Sequence, residues 1–287
     1  MIHELKLAKP SSLDEVKRIL SSENSKIIAG GTDIVPGFHI ESVRFKNISS
    51  LIDINSIAEL KEIKIIENEI QIGSAATFSS IVNSKIISEN LPLLAKAASQ
   101  IGSKQIRNRA TIAGNFINNA PCADSIPPLL VYDAEILLES EKEKRRIPLA
   151  EFLVSSYKTK IQPNEILTKI IIPNRYMNFH GLFYKLGRRR GVAISRITFA
   201  VLVRLENEIV TDFKFASGAI TPIGKRFHEI EKTIIGKRVN EIEVKLTSRN
   251  IGEEILNITG VRWSTTYKIP VLQQAVYQSI KKLLSGN

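Results

Sequence analysis

Two glycine-bearing segments carry residue types from which an anion site could be built. The first consists of Ile27, Ile28, Ala29, Gly30, Gly31, Thr32, Asp33 and Ile34. Because Gly30 and Gly31 lack Cβ atoms, their N–H groups can approach a diphosphate closely. Thr32 adds a hydroxyl donor, and a helix beginning after Asp33 would point its positive end at the same anion. A tight strand-to-helix turn without a ligand explains the glycine pair equally well.

The second segment consists of Thr111, Ile112, Ala113, Gly114 and Asn115, and is followed by a small polar stretch that includes Cys122, Asp124 and Ser125. Its hydroxyl, amide and carboxylate groups could bond phosphate oxygens and sugar hydroxyls. Arg107 and Arg109 lie just upstream and could serve as anion partners. The alternative is a polar loop capped by Asn and Asp side chains, with Cys122 as a packed thiol.

Other kinds of site are not indicated. The sequence has no P-loop, no G-x-G-x-x-G after a strand, no H-E-x-x-H and no G-x-S-x-G. Its four histidines are scattered, and its single cysteine excludes a disulfide framework or an iron–sulfur cluster held within the chain. We therefore predict no catalytic side chain and no metal ligand.

Composition indicates an ordinary packed protein that is strongly basic. Of 287 residues, 43% are apolar, and the formal net charge is +11. A basic nucleic-acid-binding module is one interpretation, but aromatic residues make up only 6% and Arg188–Arg190 is the one tight basic cluster. Docking to acidic partners explains the charge as well. With no long apolar segment and no secretory signal visible, we expect a cytoplasmic protein without a membrane span.

Short strands and helices alternate through the first half of the chain, and these elements would position the two segments. A helix with a capping box begins at Ser12, and helical spacing covers residues 78–101, whereas residues 102–124 have no clear period. The strands are predicted at 4–6, 26–29 and 51–54, with hairpins at 62–66/69–72 and 136–139/145–147.

The second half places strands before helices, so we predict an α+β fold. A strand over 167–172 ends at Pro173, which suggests two domains, 1–175 and 176–287. The later elements are antiparallel strands at 183–186, 197–205 and 209–219, then helices at 225–235, 242–256 and 265–284.

The two glycine segments, with residues 101–115 and 120–124, resemble the FAD-binding medium subunits of molybdenum hydroxylases. This family includes xanthine dehydrogenases, carbon monoxide dehydrogenases and archaeal aldehyde or glyceraldehyde oxidoreductases. The resemblance covers essentially the whole chain. It implies a two-part α/β FAD-binding domain over 1–175, with subdomains split near residue 55, and a C-terminal domain of three antiparallel strands and helices that closes over the flavin.

The resemblance also implies a set of contacts with non-covalently bound FAD. Residues 27–34 would wrap the diphosphate, 111–115 would form the second loop, and Asp124 would bind on the adenosine side. Ile101 and Leu167 match positions that touch the cofactor, and Lys185 matches a cofactor-contacting lysine of the C-terminal domain.

Membership would further imply partners. Molybdopterin would lie on a large subunit and [2Fe–2S] clusters on a small one, in a heterotrimer or its dimer. This chain would pass electrons from those clusters to an external acceptor during oxidation of an aldehyde, carbon monoxide or purine-like substrate.

The sequence departs from the family pattern in two segments. Ala113 stands where the second loop usually has glycine, and Gly191, Val192 and Ala193 supply neither acidic residues nor an aromatic shield. NAD as acceptor is therefore left open beside a one-electron or quinone-like acceptor. A stand-alone flavin oxidase of the related superfamily is a further alternative, although neither His39 nor Cys122 lies in a flavin-tethering motif.

Overall fold

The computed structural model describes residues 5–22, 24–46, 48–189, 191–238 and 240–284. Strands within these ranges form three larger sheets and one two-stranded ribbon, with helices packed against them, so the predicted α+β class is confirmed. None of the helices in the described ranges combines the length and apolar character needed to cross a lipid bilayer.

A small parallel sheet carries the first glycine segment. Its strands, in spatial order, are β1 (Lys6–Ala8), β3 (Ser50–Asp53) and β2 (Ser25–Ile28). Helix α1 (Leu13–Ser22) joins β1 to β2 and buries Val16 and Leu20, and helix α2 (Ile34–His39) follows β2. The first strand was expected at 4–6. Residue 4 lies outside the described residues, and the strand runs on to Ala8 because Lys6–Ala8 pair with Ser50–Ile52.

The second sheet is antiparallel and confirms both predicted hairpins. Its spatial order is β4 (Ile63–Ile66), β5 (Glu69–Gly73), β10 (Ile166–Pro173), β6 (Glu135–Glu139) and β7 (Lys144–Pro148). The first hairpin turns without glycine because Glu67 itself adopts a left-handed backbone, with φ 51°. A small ribbon pairs β8 (Leu153–Ser155) with β9 (Lys158–Thr159).

Short helices cover this sheet. They are α3 (Phe78–Asn83), α4 (Lys85–Asn90), α5 (Pro92–Ser99), α6 (Lys104–Arg107), α7 (Ile112–Asn118), α8 (Ile126–Val131) and α9 (Leu149–Phe152). The expectation that 102–124 is irregular is wrong. Helices α6 and α7 form there, capped by the Ser103 and Thr111 hydroxyls, and they are too short to display an apolar period.

The third sheet is antiparallel and comprises β11 (His180–Gly187), β12 (Ser195–Glu206), β13 (Ile209–Ser217) and β14 (Lys225–Arg226). Three strands were expected. The fourth exists because Lys225 and Arg226 pair with β13, so the helix predicted over 225–235 begins only at His228. Helices α10 (His228–Ile234), α11 (Glu241–Thr259) and α12 (Thr265–Leu284) pack on the sheet around Phe199, Phe213 and Phe215.

Asp133, just after α8, anchors the third sheet to the rest of the chain. It accepts hydrogen bonds from Lys214 of β13, from Arg226 of β14 at 2.8 Å, and from the Tyr176 hydroxyl at 2.8 Å. Burial opposes ionisation, but these donors hold the pKa of Asp133 at about 2. The carboxylate is therefore ionised at neutral pH, and it fixes the sheet's position beside the glycine segments.

Candidate functional site

The first glycine segment offers a run of unused main-chain donors. Strand β2 ends at Ile28, and α2 begins at Ile34. Within the described residues, the N–H groups of 30–34 have no hydrogen-bond partner, and the first N–H of the helix to be used is that of Val35, which donates to the Gly31 carbonyl. Gly31 has a φ of +73°, a conformation that glycine adopts without strain. Five successive unpaired N–H groups can receive an anion.

The two glycine segments meet at Gly30. A Cβ atom at this position would lie 2.0 Å from the Arg109 carbonyl oxygen and 3.0 Å from the Ala110 Cα. Only glycine permits so close an approach of the two main chains. The structure thus brings residues 30–34 next to the beginning of the second segment, although about 80 residues separate them in sequence.

The second segment is the first turn of α7 and has few free donors. The Ile112 N–H donates to the Ala76 carbonyl at 3.0 Å and the Ala113 N–H to the Ser74 carbonyl at 3.4 Å, while Thr111 accepts from both Gly114 and Asn115. The side chains of Ile112 and Ala113 are buried in the core. At this turn Gly114 is exposed and Asn115 is half-buried, so the segment can contribute contact surface but few main-chain hydrogen bonds.

Arg44, which sequence reasoning missed, ties the two segments together. Its guanidinium donates to Asp33 at 2.9 and 3.3 Å and to the Asn118 side-chain oxygen of α7 at 2.6 Å. It also lies 4.8 Å from the Phe45 ring centroid and 4.7 Å from that of Tyr157. Its position 74 residues before Asn118 gave no local signal of this contact.

Arg44 also neutralises the one carboxylate in the first segment. Asp33 would repel a bound diphosphate, and its pairing with Arg44 cancels that charge. A second cation, Lys26, lies on β2 just before the glycine pair. Burial and the Arg44 charge lower the pKa of Lys26, while Asp33 raises it. The surroundings of the unpaired N–H groups are therefore net positive.

Lys185 and Asp124, two of the predicted cofactor contacts, form a buried ion pair with each other. The Lys185 ammonium of β11 donates to Asp124 at 2.6 Å and to the Gln100 carbonyl at 2.9 Å, and the Ser195 hydroxyl donates to the other Asp124 oxygen at 2.5 Å. The side chains of Lys185 and Asp124 are 9% and 7% exposed. Burial raises the pKa of Asp124, against the opposing effects of Lys185 and Ser195.

Ile101 and Leu167 lie in the core rather than on an open surface. Ile101 follows Gln100, which Lys185 contacts. Leu167 precedes Thr168, whose carbonyl accepts from the Ser74 N–H, and Ser74 in turn accepts from Ala113. Both residues thus adjoin the other predicted contacts, and their role toward a cofactor stays a prediction.

The remaining candidates are placed less favourably. Arg107 donates to the carbonyls of Ile101 and Gly102, so its guanidinium closes a local turn. Cys122 is half-buried, and burial together with Asp124 raises its pKa, which lowers its reactivity. Within the described ranges, no three His, Cys, Asp or Glu side chains are grouped to hold a metal ion.

Comparison with known proteins places this geometry in a family. Residues 3–175 match the family described as "FAD binding domain in molybdopterin dehydrogenase", and residues 182–283 match "CO dehydrogenase flavoprotein C-terminal domain". The xanthine dehydrogenase FAD-binding subunit of Escherichia coli O157:H7 is 33% identical over 77% of this chain and 75% of its own length. The nicotinate dehydrogenase FAD-subunit of Eubacterium barkeri is 31% identical over 96% and 93%.

A solved structure extends the match to the whole fold. A carbon monoxide dehydrogenase chain from Hydrogenophaga pseudoflava superposes with a TM-score of 0.90 at 25% identity, over 99% of both chains.

Proposed function

The chain belongs to the FAD-binding medium subunits of molybdenum hydroxylases, and from this membership we propose how it holds FAD and what it does in its complex. The FAD diphosphate binds to the five unpaired N–H groups of residues 30–34. That run of donors is the observation that carries the proposal, because N–H groups at a glycine turn and a helix start that lack internal acceptors can converge on one anion. Arg44 offsets the charge of Asp33, and Lys26 leaves the surroundings of the diphosphate net positive.

The other predicted contacts surround these five N–H groups, which we call the cradle. Gly114 and Asn115 face the cofactor at the first turn of α7, where Gly114 is exposed. Asp124 and Lys185 hold the third sheet against the cofactor site through their ion pair. Ile101 and Leu167 form the apolar floor behind these residues.

The complex assigns the chemistry to different subunits. Bound FAD can take electrons singly from iron–sulfur clusters and pass them on singly or in pairs. We place molybdopterin on a large partner subunit and [2Fe–2S] clusters on a small one, in a heterotrimer or its dimer. This chain is the point where electrons leave for an external acceptor, and its own side chains perform no acid–base or nucleophilic step.

The proposal is tested by a pair of glycine variants. Gly31 and Gly236 both have positive φ, and a Cβ at Gly236 would meet nothing within 4 Å. Alanine at either position costs about 1–2 kcal/mol in backbone strain. We expect both Gly31→Ala and Gly236→Ala to lower thermal stability, but only Gly31→Ala to weaken FAD binding, measured by quenching of flavin fluorescence. Equal FAD affinity in the two variants would count against the cradle.

Two further measurements test the role that we propose for this chain in its complex. Acid precipitation of the flavin-loaded protein should release all FAD into the supernatant, whereas FAD retained on the polypeptide would favour the stand-alone oxidase. The flavin-loaded chain alone should oxidise neither aldehydes nor purines. Oxidation without partner subunits would refute the electron-exit role.

A further inference from the structure

The whole excess of positive charge is confined to two segments of the chain. Residues 174–205 contain no Asp or Glu and carry Arg175, Lys185, Arg188, Arg189, Arg190, Arg196 and Arg204. Residues 257–287 contain no Asp or Glu either and carry Arg262, Lys268, Lys281 and Lys282. These basic residues account for the entire formal charge of +11, so the rest of the chain is electrically balanced.

The fold brings the two segments together. Helix α12 packs on β11 and β12. Lys268 of α12 lies near Arg196 of β12 and near Arg262, and burial and the charges of both arginines lower the pKa of Lys268. These three cations therefore share one surface. Arg188 and Arg189 follow Gly187, which pairs with Ser195, so the turn that carries them lies beside Arg196. We call Arg188, Arg189, Arg196, Arg262 and Lys268 the basic face. Arg175, Lys185 and Arg204 pair with carboxylates, whereas among the described residues no ion pair involves the basic face.

Large apolar side chains stand exposed among these cations. Trp263 is 86% exposed, Val261 84% and Ile194 78%. Tyr267 lies near Tyr184, whose pKa is raised by burial and by Tyr267. Tyr184 borders a groove of about 610 Å³ between β11 and α12. That groove is lined mainly by apolar groups, including Leu182, Pro270 and Val271. Exposed Trp and Arg side chains around an apolar patch are typical of protein-binding surfaces.

The basic face lies at the same end of β11 and β12 as Lys185 and Ser195. Arg196 directly follows Ser195, whose hydroxyl bonds Asp124, and Arg188 lies three residues after Lys185. A protein seated on the basic face would therefore contact the end of the third sheet that carries Lys185.

We propose that the basic face docks an acidic protein that accepts electrons one at a time. Charge complementarity selects the partner, because a surface with five unpaired cations attracts and orients an acidic protein. The exposed groups are mainly aliphatic, with one indole and the Tyr267 phenol, whereas single-stranded nucleic acid is bound through series of stacking aromatics. The inference rests on the proposed function, since it names the class of acceptor to which the electrons go.

Electron balance sets the stoichiometry of docking. A substrate oxidised by two electrons on the partner subunit reduces two acceptor molecules by one electron each, and the protons released pass to solvent. Two acceptor molecules must therefore dock in turn on this face for each turnover. Fast, salt-sensitive association suits such short-lived complexes better than a large interface.

The test uses the complete complex with an acidic [2Fe–2S] ferredoxin as the probe and basic cytochrome c as its opposite-charge counterpart. The wild-type complex is compared with the double variant Arg262→Glu/Lys268→Glu, with Trp263→Ser, and with Lys142→Glu as a control on the exposed β6–β7 turn. We expect ferredoxin binding, measured by surface plasmon resonance, to lose at least about tenfold in on-rate in the double variant at low salt and little at high salt. Trp263→Ser should raise the off-rate, and Lys142→Glu should change neither rate.

Three results would overturn the inference: ferredoxin bound equally by the double variant and the wild type, cytochrome c bound in preference, or a single-stranded oligonucleotide bound at this face in place of ferredoxin. Protection of Trp263 from oxidative labelling in the complex without ferredoxin would also overturn it, because the face would then be covered by a partner subunit. The FAD content of each variant, read from its visible spectrum, separates these outcomes from failure of the proposed function.

Discussion

Replacing Arg44 with glutamine tests the link between the two glycine segments. The half-exposed pair with Asp33 contributes about 1 kcal/mol, the bond to Asn118 about 1 kcal/mol, and the ring contacts with Phe45 and Tyr157 about 0.5 kcal/mol each. Together the contacts of Arg44 contribute about 2–3 kcal/mol to the free energy that holds the two segments in place. If all of it serves to hold the cradle in its binding geometry, FAD affinity falls roughly 30- to 150-fold.

The assay is FAD binding by fluorescence quenching, with the thermal unfolding of the FAD-free protein followed in parallel. Arg204→Gln is the matched control, because Arg204 also combines an ion pair, a hydrogen bond and a ring contact. We expect both variants to lose stability and only Arg44→Gln to lose FAD affinity. Arg44→Lys keeps the charge and should recover part of that affinity.

A second substitution separates charge from position. In the Arg44→Gln background, Asp33 is an unpaired carboxylate beside the diphosphate site. Asp33→Asn removes this repulsion, so the double variant should bind FAD more tightly than Arg44→Gln alone. Our interpretation of Arg44 would be refuted if Arg44→Gln bound FAD as the wild type does, or if it lost no more affinity than Arg204→Gln.

Two further predictions concern the frame around the site. Gly30→Ala should destabilise the protein by more than about 2 kcal/mol, because its Cβ would overlap the Arg109 carbonyl, whereas Gly191→Ala, with open space around it, should be neutral in urea unfolding. Asp133→Asn should cost about 3 kcal/mol at neutral pH, since it leaves Lys214 and Arg226 without their shared carboxylate. Because the folded-state pKa of Asp133 is about 2 and its ordinary value is 3.8, its contribution is complete above about pH 4 and is lost as pH falls toward 2. The stability difference between Asp133→Asn and the wild type should shrink over that range, and a constant difference would contradict this assignment.

Local sequence patterns were sufficient for much of the fold. The hairpins, the helix over 265–284 and the strand that ends at the first glycine segment all follow from residue spacing, because each depends on near neighbours. The pattern failed where pairing across the chain decides the structure. Lys225 and Arg226 form a strand only because β13 is beside them.

The candidate site likewise contains residues that local sequence could identify and residues that it could not. Gly30 and Gly31 could be identified because glycine pairs after a buried strand are a local signal. The engagement of the α7 donors by Ala76 and Ser74 could not be foreseen, since those acceptors lie in a distant part of the sequence. Arg44 was missed for the same reason: nothing near it in sequence indicates that Asp33, Asn118 and Tyr157 converge on it.

Hydrogen exchange at the main-chain amides of residues 30–34 tests most directly whether this segment holds the cofactor diphosphate. These amides have no acceptor in the described structure and should exchange rapidly in the FAD-free protein. Saturation with FAD should slow their exchange at least about tenfold, while the amides of Gly236 and Gly260 stay unchanged. Full FAD occupancy with unaltered exchange at residues 30–34 would show that the diphosphate binds elsewhere.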